Sequence, residues 1–125
     1  MILLNDFFTI SKKLVSENEI SVELCINTGH KIFEGHFPNQ PVVPGVCMVQ
    51  MIKEMVEDVL DIKTKLTEAA ELKFLSVIDP LQNNLINATI KYMNGEDRKI
   101  NINASFFKNE LIHFKCKLCL QKSDN

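Results

Sequence analysis

Apolar and polar residues alternate from Ile20 to Ile26, where Ile20, Val22, Leu24 and Ile26 interleave with Ser21, Glu23 and Cys25. That is the period of a strand with one buried face. The run from Gly45 to Leu60 holds no Pro, and no Gly after its first residue, and so predicts a helix. Val46, Cys47, Met48, Val49, Met51 and Ile52 make its first turns apolar on nearly every side, so the helix is expected to begin buried all round. Further along, Lys53, Glu54, Glu57 and Asp58 are expected to mark an exposed face opposite Ile52, Met55, Val56 and Val59. On this reading the helix starts inside and ends outside.

Beyond Leu66 the period of two returns four times. Ala70, Leu72 and Phe74 alternate with polar residues, and so do Ile86, Ala88, Ile90 and Tyr92. Ile100, Ile102, Ala104 and Phe106 follow, then Ile112, Phe114, Cys116, Leu118 and Leu120. Asn94-Gly95-Glu96-Asp97 and Lys108-Asn109-Glu110 supply short turns, which make neighbouring strands antiparallel. At least one strand before a helix and four after it predict an α+β layer, an antiparallel sheet wrapped around one long central helix. No repeat or linker divides residues 1–125, so a single domain is expected. The polar stretch from Gln121 to Asn125 is expected to fray.

Composition narrows the partners. The chain is 46% hydrophobic, enough for one core, and its net charge of −2 comes from 14 basic and 16 acidic residues with no block of one sign. Nucleic acid and anionic membranes are poor partners for such a surface. Asn5 and Asp6 interrupt the apolar start too early for a signal peptide, and no stretch reaches the length of a membrane span. A cytoplasmic setting is expected, with Cys25, Cys47, Cys116 and Cys119 as free thiols. His113, Cys116 and Cys119 offer only three metal ligands, and residues three apart on a strand point to opposite faces. No metal or cofactor is implied. His30 and His113 read as structural or surface residues, and Met48, Met51 and Met55 as adaptable core.

The stretch from Gly35 to Val46 carries three prolines and two glycines ahead of the helix. Proline fixes φ and stiffens the loop. Helix starts carry unpaired N–H groups and partial positive charge, so the amides of Gly45 and Val46 can polarise a carbonyl oxygen. A general base is then needed nearby, and His36 is the candidate.

His36-Phe37-Pro38-Asn39-Gln40-Pro41-Val42-Val43-Pro44-Gly45-Val46 resembles the H-F-P-x-x-P-V-M-P-G-V signature of the hotdog 3-hydroxyacyl-acyl carrier protein dehydratases of type II fatty-acid synthesis. Within that window only Val43 departs. Ile32-Phe33-Glu34-Gly35 is similar to the family's F-F-x-G, and Leu72-Lys73-Phe74 with Val77-Ile78-Asp79-Pro80 to its K-F-x-x-P-V-x-P-G-D stretch. The resemblance implies a hotdog fold and a lyase. It makes His36 the base that removes a proton from the carbon beside the thioester carbonyl, and gives Gly45 the carbonyl oxygen through its N–H. Phe33 and Phe37 are candidates to line the acyl tunnel, although packing explains them as well.

The family's second catalytic residue is a Glu or Asp fourteen positions after the histidine, and this chain has Gln50 there. An amide cannot give up a proton and become a stable anion. Gln50 can still orient a hydroxyl or a water, so either the leaving hydroxyl is protonated by water or by His36 itself, or the chain is a binding or partner subunit that lost the reaction; Glu54, one turn later, is a possible substitute acid. Some short hotdog dehydratases of aryl-polyene pathways resemble the first of these cases. Three functions follow: dehydration of a 3-hydroxyacyl thioester on acyl carrier protein, a non-catalytic acyl-binding or partner subunit, and an acyl thioesterase. The thioesterase is disfavoured because thioesterases of this fold usually depend on a carboxylate. The implied partners are an acyl carrier protein with its phosphopantetheine-linked acyl group and a homodimer, or a higher oligomer of dimers. The carrier is acidic, and Lys12, Lys13, Lys31, Arg98 and Lys99 are available to meet it.

Overall fold

The computed structural model describes residues 2–35 and 41–123. In chain order the elements are β1 (Phe8–Val15), β2 (Glu19–Ile26), α1 (Ile32–Gly35), α2 (Gly45–Leu60), β3 (Thr64–Phe74), β4 (Leu85–Asn94), β5 (Lys99–Lys108) and β6 (Leu111–Lys122). The strands form one sheet in the order β1-β2-β4-β5-β6-β3, antiparallel throughout. The alternation in β2, β4, β5 and β6 places Ile20, Leu24, Ile86, Ile90, Ile100, Phe106, Phe114 and Leu120 in the buried core. Met51, Ile52, Met55 and Val56 of α2 belong to the same core, so the sheet wraps the helix as the sequence predicts.

The turns follow their chemistry. Asp97 and Arg98 take φ of 56° and 62° between β4 and β5, where Lys99 N–H donates to Glu96 O at 3.1 Å. Asn109 at φ 53° turns β5 into β6, and Asn tolerates the left-handed region better than most residues. Asp61 ends α2 in that same conformation, its N–H bonded to Glu57 O. The Glu57 carboxylate also accepts from Thr64 N–H at 2.7 Å and Thr64 Oγ1 at 3.0 Å, which ties the helix end to the start of β3.

Four expectations are corrected. First, α2 does not run from inside to outside: Val46 in its first turn is 72% exposed, while Glu54, expected on the exposed face, is buried at 7%. The middle turns are the deepest. Second, β3 begins at Thr64, and two register shifts, between Leu66 and Glu68 and between Ala69 and Glu71, break its simple alternation. Because β3 is an edge strand, the face expected to be buried leaves Leu72 41% and Phe74 57% exposed. Third, β1 adds a strand that the pattern does not announce. It is mostly exposed, and a register shift between Ile10 and Lys12 scrambles its period. Fourth, the C-terminal stretch is ordered further than expected. Gln121 and Lys122 belong to β6, and Gln121 Nε2 donates to Asp97 O at 2.7 Å.

Both histidines with described positions are structural. Ile32 N–H donates to His30 Nδ1 at 3.0 Å, which leaves His30 Nε2 to donate to Asp6 Oδ2 at 3.1 Å. His113 lies 2% exposed beneath the segment after β3, with Nδ1 2.8 Å from Ser76 Oγ. Its Nε2 is buried without a hydrogen-bond partner among the described residues. Burial lowers the His113 pKa below its ordinary value, outweighing its bonds to Ser76 and Val77. The unfolded chain therefore takes up the proton first, so the contribution of His113 to stability is full above pH ~6.5 and is lost as the pH falls. A His113→Leu variant is expected to show a smaller drop in unfolding midpoint between pH 7.5 and pH 5 than the unsubstituted protein. Equal drops would show that His113 is not the group that couples stability to acid.

Candidate active site

Proline at the helix N-cap shapes the site. Pro44 has φ −64° and ψ 144° and no side-chain cap, and its carbonyl accepts from Cys47 N–H at 3.0 Å and Met48 N–H at 3.2 Å. The amides of Gly45 and Val46 therefore stand ahead of the first intrahelical bond, where partial positive charge gathers. The incoming chain is held from the other side by Val43 N–H, which donates to Ile78 O at 3.0 Å. Gly45 is glycine for a steric reason. A Cβ there would fall 2.6 Å from Phe74 Cζ and closer still to Cε1. The Phe74 ring lies over the helix start and stacks on Phe114 with centroids 4.8 Å apart.

Gln50 sits half-buried nearly one and a half turns along α2, and its Nε2 donates to Glu54 Oε2 at 2.8 Å. Leu3 N–H lies 2.8 and 2.9 Å from the two Glu54 oxygens, and Leu4 N–H lies 2.7 Å from Oε1. Glu54 is thus the anchor of the N-terminal segment, with three donors on one carboxylate. Both carboxylate oxygens are thereby engaged in holding that segment and Gln50. Cys47, in the first turn, is buried, and burial pushes its thiol pKa up, away from nucleophilic thiolate.

The structure brings Gly45, Val46 and Gln50 onto one helix. The Val46 side chain points to solvent, so Val46 can serve only through its backbone or against another chain. Phe33 is buried in the core, 5.3 Å from Phe7 between ring centroids. His36 and Phe37 lie outside the described residues. Lys12 and Lys13 are on β1, Lys31 precedes α1, and Arg98 and Lys99 flank the β4–β5 turn. Sequence reasoning missed two participants, the backbone of Leu3 and Leu4 and the Phe74 ring over Gly45. Neither had a signal in the sequence: Glu54 stands beside Lys53, Glu57 and Asp58 in a pattern that reads as an exposed face, and the second depends on where an edge strand ends.

Among the described residues no group of His, Cys, Asp and Glu is placed to hold a metal ion. Cys116 is buried with its thiol pushed up to about 12, and Cys119 lies half-buried on the strand's other face. No helix among them is long and apolar enough to cross a membrane. A concavity of about 640 Å³ crosses the sheet face turned away from α2, lined among others by Lys91, Asn103, Lys117 and Cys119. Neither Gly45 nor Gln50 lines it.

Comparison with known proteins agrees with the geometry. The model of the ApeI-like family, described as ApeI dehydratase, matches residues 12–115. No curated protein matches the chain. Among solved structures, the dehydratase heterocomplex ApeI:P from Xenorhabdus doucetiae superposes with a TM-score of 0.73 at 18% identity, covering 90% of this chain and 96% of that one. Cj0977, a sigma28-regulated virulence protein from Campylobacter jejuni, gives 0.70 at 9% identity over 96% and 86%. A point mutant of thioesterase PA1618 from Pseudomonas aeruginosa gives 0.65 at 6% over 92% and 80%. Identities this low speak for the fold alone, and the hotdog fold is the one expected from the sequence.

The contact at the helix start makes a prediction. Gly45→Ala is expected to destabilise the protein by about 1–3 kcal/mol, because the added methyl collides with the Phe74 ring. In a Phe74→Ala background the same substitution should cost less than half as much in denaturant unfolding. Simple additivity of the two changes would show that the ring does not constrain Gly45.

Proposed function

Since the chain belongs to the ApeI-like dehydratase family, we propose that it is one subunit of a two-chain dehydratase acting on a 3-hydroxyacyl thioester carried by acyl carrier protein. The observation that carries this reading is the state of the two polar residues on α2. Gln50 stands where the family resemblance expects an acid, and Glu54 is occupied by Leu3, Leu4 and Gln50.

His36 acts as the base and takes the proton from the carbon next to the thioester carbonyl. The Gly45 N–H receives the charge that develops on the carbonyl oxygen. The electron pair left on that carbon forms the double bond to the neighbouring carbon, whose C–O bond breaks. The hydroxyl leaves with a proton as water, giving the trans-2-enoyl thioester. Among the described residues this chain holds no uncommitted carboxyl on the Gln50 face of α2 to give that proton, so a partner supplies the acid.

In a homodimer every site would carry Gln50 in the acid's place, which favours a different hotdog chain as partner. The edge strand β3 fits that role: Leu66, Leu72 and Phe74 are exposed along it, with Val46 exposed at the start of the helix beside Phe74. An unpaired edge with apolar side chains invites a second sheet. β1, at the other end of the sheet, carries Lys12 and Lys13, which discourage edge pairing. The likeness to a structure described as a dehydratase heterocomplex supports the same assembly.

Mass spectrometry of a 3-hydroxyacyl-acyl carrier protein tests the proposal. The chain alone should leave the substrate intact. Mixed with a hotdog partner that bears a carboxylate in the place of Gln50, it should remove one water, and His36→Ala should abolish the loss. Full turnover by the pure chain would overturn the two-chain reading. Release of free carrier thiol instead of water would make the protein a thioesterase.

A further inference from the structure

We infer that His113, set out of register by a bulge in β6, is a positioning residue that holds the start of α2 so that the Gly45 N–H meets the thioester carbonyl. The inference rests on the reading above, in which that N–H receives the charge developing on the carbonyl oxygen.

Neighbouring residues of a strand normally point to opposite faces. His113 and Phe114 are consecutive in β6, yet they are 2% and 0% exposed. The register explains it: Phe106 of β5 pairs with Phe114 and Phe107 with Ile112, which leaves His113 as the extra residue of a bulge. A bulge gives up a ladder pairing and re-aims a side chain. Here the bulged residue is turned to the segment that follows β3. Leu75 N–H and Ser76 N–H both donate to the His113 carbonyl, at 2.9 and 3.2 Å, and Ser76 Oγ lies 2.8 Å from its Nδ1. Ile78, two residues on, is buried, and its carbonyl accepts from Val43 N–H at 3.0 Å.

Two struts thus run from consecutive residues of β6 to the start of α2. Phe114 stacks on Phe74, whose ring lies over Gly45. His113 holds Ser76, and through Ile78 that segment holds Val43, two residues before Gly45. The first strut sets how closely the sheet approaches the helix; the second fixes the direction in which the chain enters it, and with that the aim of the Gly45 N–H. A buried imidazole is a costly strut, because its Nε2 has no hydrogen-bond partner among the described residues and an aliphatic side chain would fill the same space without that cost. What histidine makes here and an aliphatic side chain could not are the contacts to Ser76 and Val77, in the segment that leads to Ile78. A donor that must meet charge in the transition state tolerates little displacement, so a bond this far from the chemistry bears on the rate.

Two substitutions of His113 separate a polar role from a packing one. Leu keeps much of the bulk of the ring and loses the bond to Ser76, whereas Asn loses bulk but sets an amide group where Nδ1 stood. The test measures turnover of a 3-hydroxyacyl-acyl carrier protein by the chain mixed with the acid-bearing hotdog partner, and hydrogen exchange at the Val43 amide of the chain alone. His113→Leu and Ser76→Ala should each lower kcat at least about tenfold with KM within about twofold, since the Gly45 N–H acts on charge that develops in the transition state. Each should also speed exchange at Val43 at least about tenfold, with the amides of β4 unchanged. His113→Asn should return kcat and exchange to within about threefold of the unsubstituted protein. Combining His113→Leu with Ser76→Ala should lose no more than either alone, since His113 acts through Ser76. Full kcat in His113→Leu, or a kcat in His113→Asn no higher than in His113→Leu, overturns the inference and leaves the dehydratase reading standing. No turnover by the unsubstituted pair overturns both. Should the His113 variants lose their cooperative melt, Ser76→Ala decides the matter: lowered kcat with faster Val43 exchange supports the inference, and unchanged values overturn it.

Discussion

A carboxylate buried inside a hydrophobic fold must find its hydrogen bonds within the protein, and Glu54 finds them in Leu3, Leu4 and Gln50. That constraint joins residues some fifty positions apart and links the N-terminal segment to the central helix. Phe7 and Phe8, which follow the anchored pair, are fully buried, and Phe8 opens β1 against Ile26 of β2. Placement of the first strand, and so the closing of the sheet over one side of α2, draws on this polar contact together with the burial of Phe7 and Phe8. Leaving a buried partner of a carboxylate unsatisfied costs about 1–3 kcal/mol per group, enough to matter in a domain of this size.

The same contact governs the chemistry. A helix whose buried carboxylate is engaged in structure has none left on that face for moving protons. Gln50 Nε2 is held against Glu54 by the same contact. Meanwhile the other end of the sheet is unfinished: β3 ends with Phe74 over Gly45, and its apolar side chains face solvent. On the proposed two-chain reading, a second hotdog chain would supply both the missing acid and a partner for the exposed edge at the N-terminal part of α2.

Much of this was legible before any coordinates. The strict alternation of β2, β4, β5 and β6 and the proline-bounded start of α2 gave the architecture, and the loop signature gave the family. What the sequence hid has physical causes. β1 carries consecutive lysines and a bulge, so its period of two is broken where it would be read. β3 changes register twice, so apolar residues that seem to point inward face solvent. Glu54 was read as surface from its charge, because a helical pattern cannot reveal that distant backbone N–H groups converge on it. Val46 was read as core from its apolarity, but it is 72% exposed, and apolarity alone does not tell a core position from a surface one.

We propose that Glu54 serves structure rather than proton transfer, and the most direct test of that claim is hydrogen exchange at the Leu3 and Leu4 amides. Slow exchange is expected at both in the unsubstituted protein, and exchange faster by at least about tenfold in Glu54→Ala, with the amides of β4 and β5 unchanged. Equal exchange at Leu3 and Leu4 in the two proteins would show that the carboxylate is not holding the segment, and would return Glu54 to consideration as the acid of the reaction.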